Sequence, residues 1–188
     1  MVSKELTPAH RMAAIGILQR DDPALRTPAR PFDLPRDAAQ ARHVIDRVLA
    51  AMDRVARAHV FAKGMGLAAP QIGIDLAAAV IRPADPGGSE IVLLNPRIVD
   101  ESRRRDVQYE GCMSFFDVRG RVDRPLRVEV EHRRLDGGLV ITRFTGGLAR
   151  HVCHEIDHLE GRFYTDRMPA GDEVIPLSQY RGSGRPWG

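Results

Sequence analysis

HEIDHLEG, residues 154 to 161, places two histidines and a glutamate at the spacing of a metal site. On a helix, residues four apart share a face one turn apart, so His154 and His158 can both aim a ring nitrogen at one ion. Glu155 is rotated by about 100° from His154. From there it can reach a water at an open position without binding the ion itself. Two neutral imidazoles and a general base are what the HExxH pattern means physically. The plainer reading, histidines that merely pair with Asp157 or Glu160, would serve for a bare HxxxH but gives Glu155 no role.

A metal site of this kind needs a third protein ligand. Peptidases built on HExxHxxGxxH take it from a histidine six residues after the second one, and here that position is Tyr164. Asp172 and Glu173 are acidic alternatives, but they follow Pro169 and Gly171 in a segment without helical pattern. Upstream, YEGCMS offers Cys112 beside the permissive Gly111. As a thiolate it is a strong ligand for Zn(II) or Fe(II). Taken alone, Cys112 reads better as a small buried residue, and it is the neighbouring Glu110 and Gly111 together with the other motifs that turn the reading toward a ligand.

The elements that must carry these groups follow from periodicity. Residues 8–20 are expected to form a short helix, and the Pro-rich 21–37 an extended loop. Over 37–62, Val44, Ile45, Val48, Leu49, Met52 and Val55 recur at helical spacing, and Lys63 and Gly64 end the run. Strand-like runs occupy 76–83, 91–99, 122–136 and 138–146, with DGG at 136–138 as a hairpin signal. Helical pattern returns over 147–160. The expectation is a single α+β domain, with mostly antiparallel strands packed around a C-terminal metal-binding helix and a long N-terminal helix. Residues 1–168 would form the catalytic domain, and 169–188 a tail ending in a flexible RGSGRPWG.

With 188 residues and 43% apolar content the chain can bury one proper core. No apolar run approaches a membrane span, and the N-terminus lacks a signal-peptide pattern, so the expected compartment is the cytoplasm. Net charge is +3, carried almost wholly by dispersed arginines, and no nucleic-acid motif is present. Two cysteines, Cys112 and Cys153, both lie in or beside the chemical motifs and are expected to be reduced thiols.

Three separated segments, GMGLAAPQIG (64–73), EGCMS (110–114) and HEIDHLEG, resemble in order and spacing the GxGLAAxQ, EGCxS and HExDHxxG motifs of peptide deformylases. ILQRDDPALRTPARPF is similar to that family's opening segment, so the resemblance runs from about residue 15 to 168. It implies a metallohydrolase that removes the N-formyl group from new peptides beginning with formylmethionine. It also implies one divalent ion held by Cys112, His154 and His158, often Fe(II) in the cell and replaceable by Zn, Ni or Co. Glu155 would be the base, and the Gln71 amide with the Met113 backbone N–H would donate to the oxyanion. Gly66, Glu110, Gly111 and Arg119 fall at substrate-binding positions, with Arg119 a candidate to orient Glu110 or the peptide. The implied partner is an N-formylated nascent peptide, with transient ribosome contact and a monomeric chain expected.

Several residues depart from the family pattern. Met113 replaces a leucine, Phe115-Phe116 an Ile-Pro, and Cys153 a glutamine; Cys153 is expected to pack and not coordinate. Gly147 and His151 align with positions often apolar in the methionine pocket, with Gln108 nearby. A polar pocket would weaken the hold on an apolar side chain, since each buried CH₂ is worth about 0.8 kcal/mol. His151 is expected either there or pointing to solvent. Other readings are the same chemistry on a different formylated or acylated substrate, an HExxH peptidase, and a non-catalytic relative. The last gives Glu155 no task.

Overall fold

The computed structural model describes residues 7–85 and 87–182. Three α-helices and eight strands form it: α1 (Pro8–Ala14), α2 (Ala38–Ala58), α3 (Gly146–Leu159), β1 (Met65–Ala68), β2 (Ala78–Arg82), β3 (Ile91–Glu101), β4 (Arg105–Cys112), β5 (Phe115–Pro125), β6 (Arg127–Arg133), β7 (Leu139–Thr145) and β8 (Ile175–Pro176). The strands make a five-stranded sheet in the order β1-β2-β3-β6-β7 and a three-stranded sheet in the order β4-β5-β8. Every pairing is antiparallel. The expected α+β class with mostly antiparallel strands is what the chain adopts. No helix among the described residues is long and apolar enough to cross a membrane.

Helix α2 buries Ala41, Val44, Val48, Ala51, Met52 and Val55, steps of three and four that put one stripe onto β1 and β2. It stops at His59, earlier than the expected residue 62. His59 and Phe61 leave the helix to meet the Phe116 ring edge-on, with centroids 5.0 and 6.1 Å away. Helix α3 packs its own stripe, including Val152, Cys153 and Ile156, against Ile81, Leu93, Val128 and Val130 of the large sheet.

Helix α1 ends at Ala14 and does not reach residue 20. Gly16 turns the chain, and the segment after it runs irregularly along the base of the site. There Leu18 N–H donates to the Gln71 carbonyl and Arg20 N–H to the Ser114 carbonyl, both at 2.8 Å. One short segment thus fixes two loops that come from different sheets.

Three strands, β1, β4 and β8, were not foreseen. β1 lies inside what reads as a Gly-rich turn, and β4 carries charged residues and buries inward-facing side chains only near its end. The expected strand over 122–136 is in fact the end of β5 and the whole of β6. Pro125, which has no N–H to give a ladder, closes the first of them. The DGG hairpin joins β6 to β7 as expected, with Arg133 paired to Leu139. The tail does not leave the body at 168: after a 3-10 turn over Tyr164–Arg167, β8 docks on β5, pairing Pro176 with Val118 and Ile175 with Arg119. Residues 183–188, most of the end expected to be flexible, lie outside the described residues.

Candidate metal centre

Helix α3 brings His154 and His158 to one face with ring centroids 5.0 Å apart. Strand β4 ends at Cys112, where a register shift between Glu110 and Cys112 turns the chain into β5. The Cys112 sulfur lies 3.1 Å from His158 Nε2. One ligand atom from each of Cys112, His154 and His158 falls within 4.8 Å of the others, the one such group among the described residues. A thiolate and two imidazoles form a donor set suited to a divalent transition metal, so the residues present fit such an ion.

The alternatives for a third ligand do not reach the site. Tyr164 stacks its ring on His154, with centroids 6.0 Å apart and planes 18° from parallel. Asp172 pairs with Arg121 at 3.6 Å.

Around the ligands, hydrogen bonds fix orientation. His154 Nδ1 lies 3.0 Å from Glu110 Oε2, which leaves Nε2 for an ion. Arg124 grips the same carboxylate with two bonds of 3.0 Å, and Arg150 adds one of 2.8 Å. Arg124 also reaches Asp157 at 2.7 Å, and Arg167 caps Asp157 at 2.8 Å. Burial alone would raise the Glu110 carboxyl, but Arg124 and His154 outweigh it and hold the group well below the usual carboxylate range. Of the two roles expected for Arg119, orienting Glu110 or the peptide, the first is not made, and the side chain lines the cleft. Its guanidinium donates to the carbonyls of Phe116 and Val118 at 2.8 and 2.7 Å and lies flat against Gly111, where a Cβ would clash at 2.5 Å.

Burial raises the Cys112 thiol, yet His158 and His154 outweigh that and hold it well below its ordinary value. Further donors aim at this sulfur. Ser114 N–H donates at 3.3 Å, and Gln71 Nε2 lies 3.5 Å away while also donating to Ser114 Oγ at 3.1 Å. The Gln71 amide cannot flip freely, because its Oε1 accepts from Ala68 N–H at 2.9 Å.

Glu155 is buried, its Oε2 has no hydrogen-bond partner, and its carboxylate lies against Gly66 so closely that any side chain there would collide with it. Burial pushes its carboxyl up to about 7, against the pull of His154 and His158. That is the range in which a carboxylate exchanges protons near neutral pH.

These groups form the inner end of a cleft of ≈ 240 Å³ whose other walls include Phe61, Met65, Met113 and Phe116. His151 lines it too and does not point to solvent. Its Nε2 lies 2.8 Å from the Lys63 carbonyl, and burial lowers its pKa to about 4, so the ring is neutral. Gly147 is not among the lining residues. Gln108 lines only an adjoining cavity and donates to Asp106. Cys153 packs in the core on the far side of α3, where burial pushes its thiol up to about 12.

Residues 15–173 match the polypeptide deformylase family. The chain belongs to that family. Among curated relatives, the peptide deformylase of Natranaerobius thermophilus is 38% identical over 157 residues, covering 83% of this chain and 93% of its own. That of Halothermothrix orenii is 33% identical over 165 residues, 87% of this chain and 100% of its own. The crystal structure of peptide deformylase from Thermotoga maritima superposes with a TM-score of 0.69 at 31% identity, covering 81% of this chain and 96% of that one. A Met-Ala-Ser-bound class I type b peptide deformylase from Acinetobacter baumannii gives 0.70 at 32% identity, with the same coverage.

The three motif residues therefore come together as a group that could hold a metal ion, but the roles of Arg124, Arg150 and Ser114 around it, and the pairing of Asp157 with arginines, escaped the sequence reading. Strand alternation does place Arg124 on the inward face with Gly120 and Val122, and helical spacing puts Arg150 one turn before His154.

Proposed function

We propose that this deformylase hydrolyses the N-formyl amide of formylmethionyl nascent peptides in the cytoplasm, releasing formate. The observation that carries the reading is the buried, unpartnered Glu155 carboxylate beside a converged Cys112, His154 and His158. A divalent ion held by those three, Fe(II) in the cell with Zn(II), Ni(II) or Co(II) able to replace it, would supply Lewis acidity toward water and the formyl oxygen. Glu155 takes the proton from the attacking water and passes it to the departing amine. The Gln71 amide and the Met113 backbone N–H stabilise the oxyanion of the tetrahedral intermediate. Glu110 fixes the His154 tautomer through Nδ1, a positioning role. Gly66 leaves room for Glu155, and Gly111 and Arg119 form the wall along which the peptide lies.

Methionine remains the preferred first residue, because the cleft keeps Phe61, Met65, Met113 and Phe116 in its walls, and burial lowers the pKa of both histidines there outside the ligand set, His59 and His151. A peptidase of the HExxH type is disfavoured by Tyr164, which stacks on His154 where that class has a ligand. We place the catalytic residues themselves within residues 1–168, the chain acting as a monomer with transient ribosome contact.

Protein purified without oxygen tests this. Its bound metal is measured, and formate release is followed with formyl-Met-Ala-Ser beside an acetyl-Met control. Glu155→Ala should keep the metal and lose activity by about 10²–10⁴-fold. A metal-loaded wild-type protein that releases no formate would sink the assignment.

A further inference from the structure

The family match stops at residue 173, yet the chain continues and returns to the site. β8 adds to the edge of β5 by pairing Ile175 with Arg119, itself a cleft-lining residue. A 3-10 turn over Leu177–Gln179 then delivers Tyr180 to the mouth of the cleft. There its ring meets Tyr109 of β4, with centroids 5.4 Å apart and planes 59° from parallel.

Tyr109, Tyr180 and Lys63 line the inner cleft and also an adjoining cavity of ≈ 540 Å³, whose remaining walls include Ile175, Gln179 and Arg181. The two spaces therefore meet along these three residues. The inner one, ≈ 240 Å³, is small beside the about 300–1,000 Å³ common for ligand pockets. It suits the formyl group and one side chain. A longer peptide must run outward, past the tyrosines.

We propose that residues 175–182 form the outer wall of the substrate cleft, with Tyr180 a specificity-determining residue for the peptide downstream of its formylated residue. The inference rests on the deformylase reading above and extends it to substrate length. A tyrosine pair offers broad, amphipathic area at low entropic cost, so it holds peptide backbone and varied side chains alike. The occupant follows from the shared wall: Lys63, Tyr109 and Tyr180 line both spaces, so the substrate's own chain, leaving the reacting centre along these residues, reaches the second one.

The test compares KM and kcat of the metal-loaded protein for formyl-methionine, which ends before the tyrosines, and formyl-Met-Ala-Ser, which passes them. Tyr180→Ala should raise KM for the tripeptide by about three- to ten-fold, with a smaller effect on kcat and on KM for formyl-methionine. Tyr180→Phe should restore the tripeptide KM, because the ring and not the hydroxyl is used. A chain stopping after Glu173 should reproduce the loss. If Tyr180→Ala and the shortened chain both keep the wild-type ratio of the two KM values, the outer wall is not a binding wall. If the wild type releases no formate from either substrate, it is the deformylase reading that fails.

Discussion

Glu110 serves three neighbours at once. One oxygen holds His154 Nδ1, and the carboxylate as a whole accepts from Arg124 and Arg150. Glu110→Gln keeps the shape but removes the charge, so His154 becomes a less basic and less firmly aimed ligand. Metal affinity should drop by about 10–100-fold, measured by competition with a chelator, while the fold is retained. An unchanged affinity would mean that Glu110 only neutralises the arginines. At this scale the candidate pair His154 and His158 was legible from helical spacing, while Cys112, about 40 residues away, was reached only through the resemblance of three motifs to a known family. The arginines were not legible. Arginine is abundant throughout the chain, and which copies turn inward depends on strand register and helix phase, which only the packed structure fixes. For Arg119 the sequence left two partners open, Glu110 or the peptide, and only the packed strand shows its guanidinium tied to two backbone carbonyls instead of to Glu110.

Among the elements, α2 carries no catalytic group yet backs the loop that opens into the site. Met52 is fully buried there between β-sheet and helix neighbours. Met52→Ala should cost about 2–5 kcal/mol in chemical denaturation without changing the metal content of the folded protein. A loss under 1 kcal/mol, roughly that of a surface substitution, would show that the site collapses to fill the space. Both long helices were legible from their apolar stripes. β1 and β4 were not, since β1 spans four residues inside a Gly-rich motif and β4 buries little until it reaches Glu110 and Cys112. Their strand character comes from partners, β2 and β5, that local sequence does not reveal.

Taken whole, the molecule is tied together by contacts between distant segments, and one of them should report on pH. Asp166 accepts from Phe163 N–H at 2.8 Å and pairs with Arg26 near the other end of the chain. Burial raises its carboxyl, but the Phe163 N–H and Arg26 outweigh that and bring it below the ordinary 3.8. A carboxyl lowered in the folded state stabilises fully above its unfolded value and loses that contribution as pH falls through the folded one. Asp166→Asn should therefore lower Tm at neutral pH. The gap to wild type should close as pH drops below about 4. A gap independent of pH would assign the effect to shape alone. What the sequence concealed at this scale is the return of the tail, because a two-residue strand has no period to read.

The charged cluster around Glu110 also limits how such a chain can diverge. Arg150 is wedged between Glu110 and Asp106, and Arg124 between Glu110 and Asp157, all but Asp106 almost completely buried. Replacing one buried member leaves its partners' charges only partly compensated in the interior, at a cost of up to about 3–5 kcal/mol, a large part of a domain's stability. Joint replacement by apolar residues carries no such penalty. Descendants of this sequence should therefore change the buried members, Glu110, Arg124, Arg150 and Asp157, in concert, and intermediates that lack one of them should be short-lived.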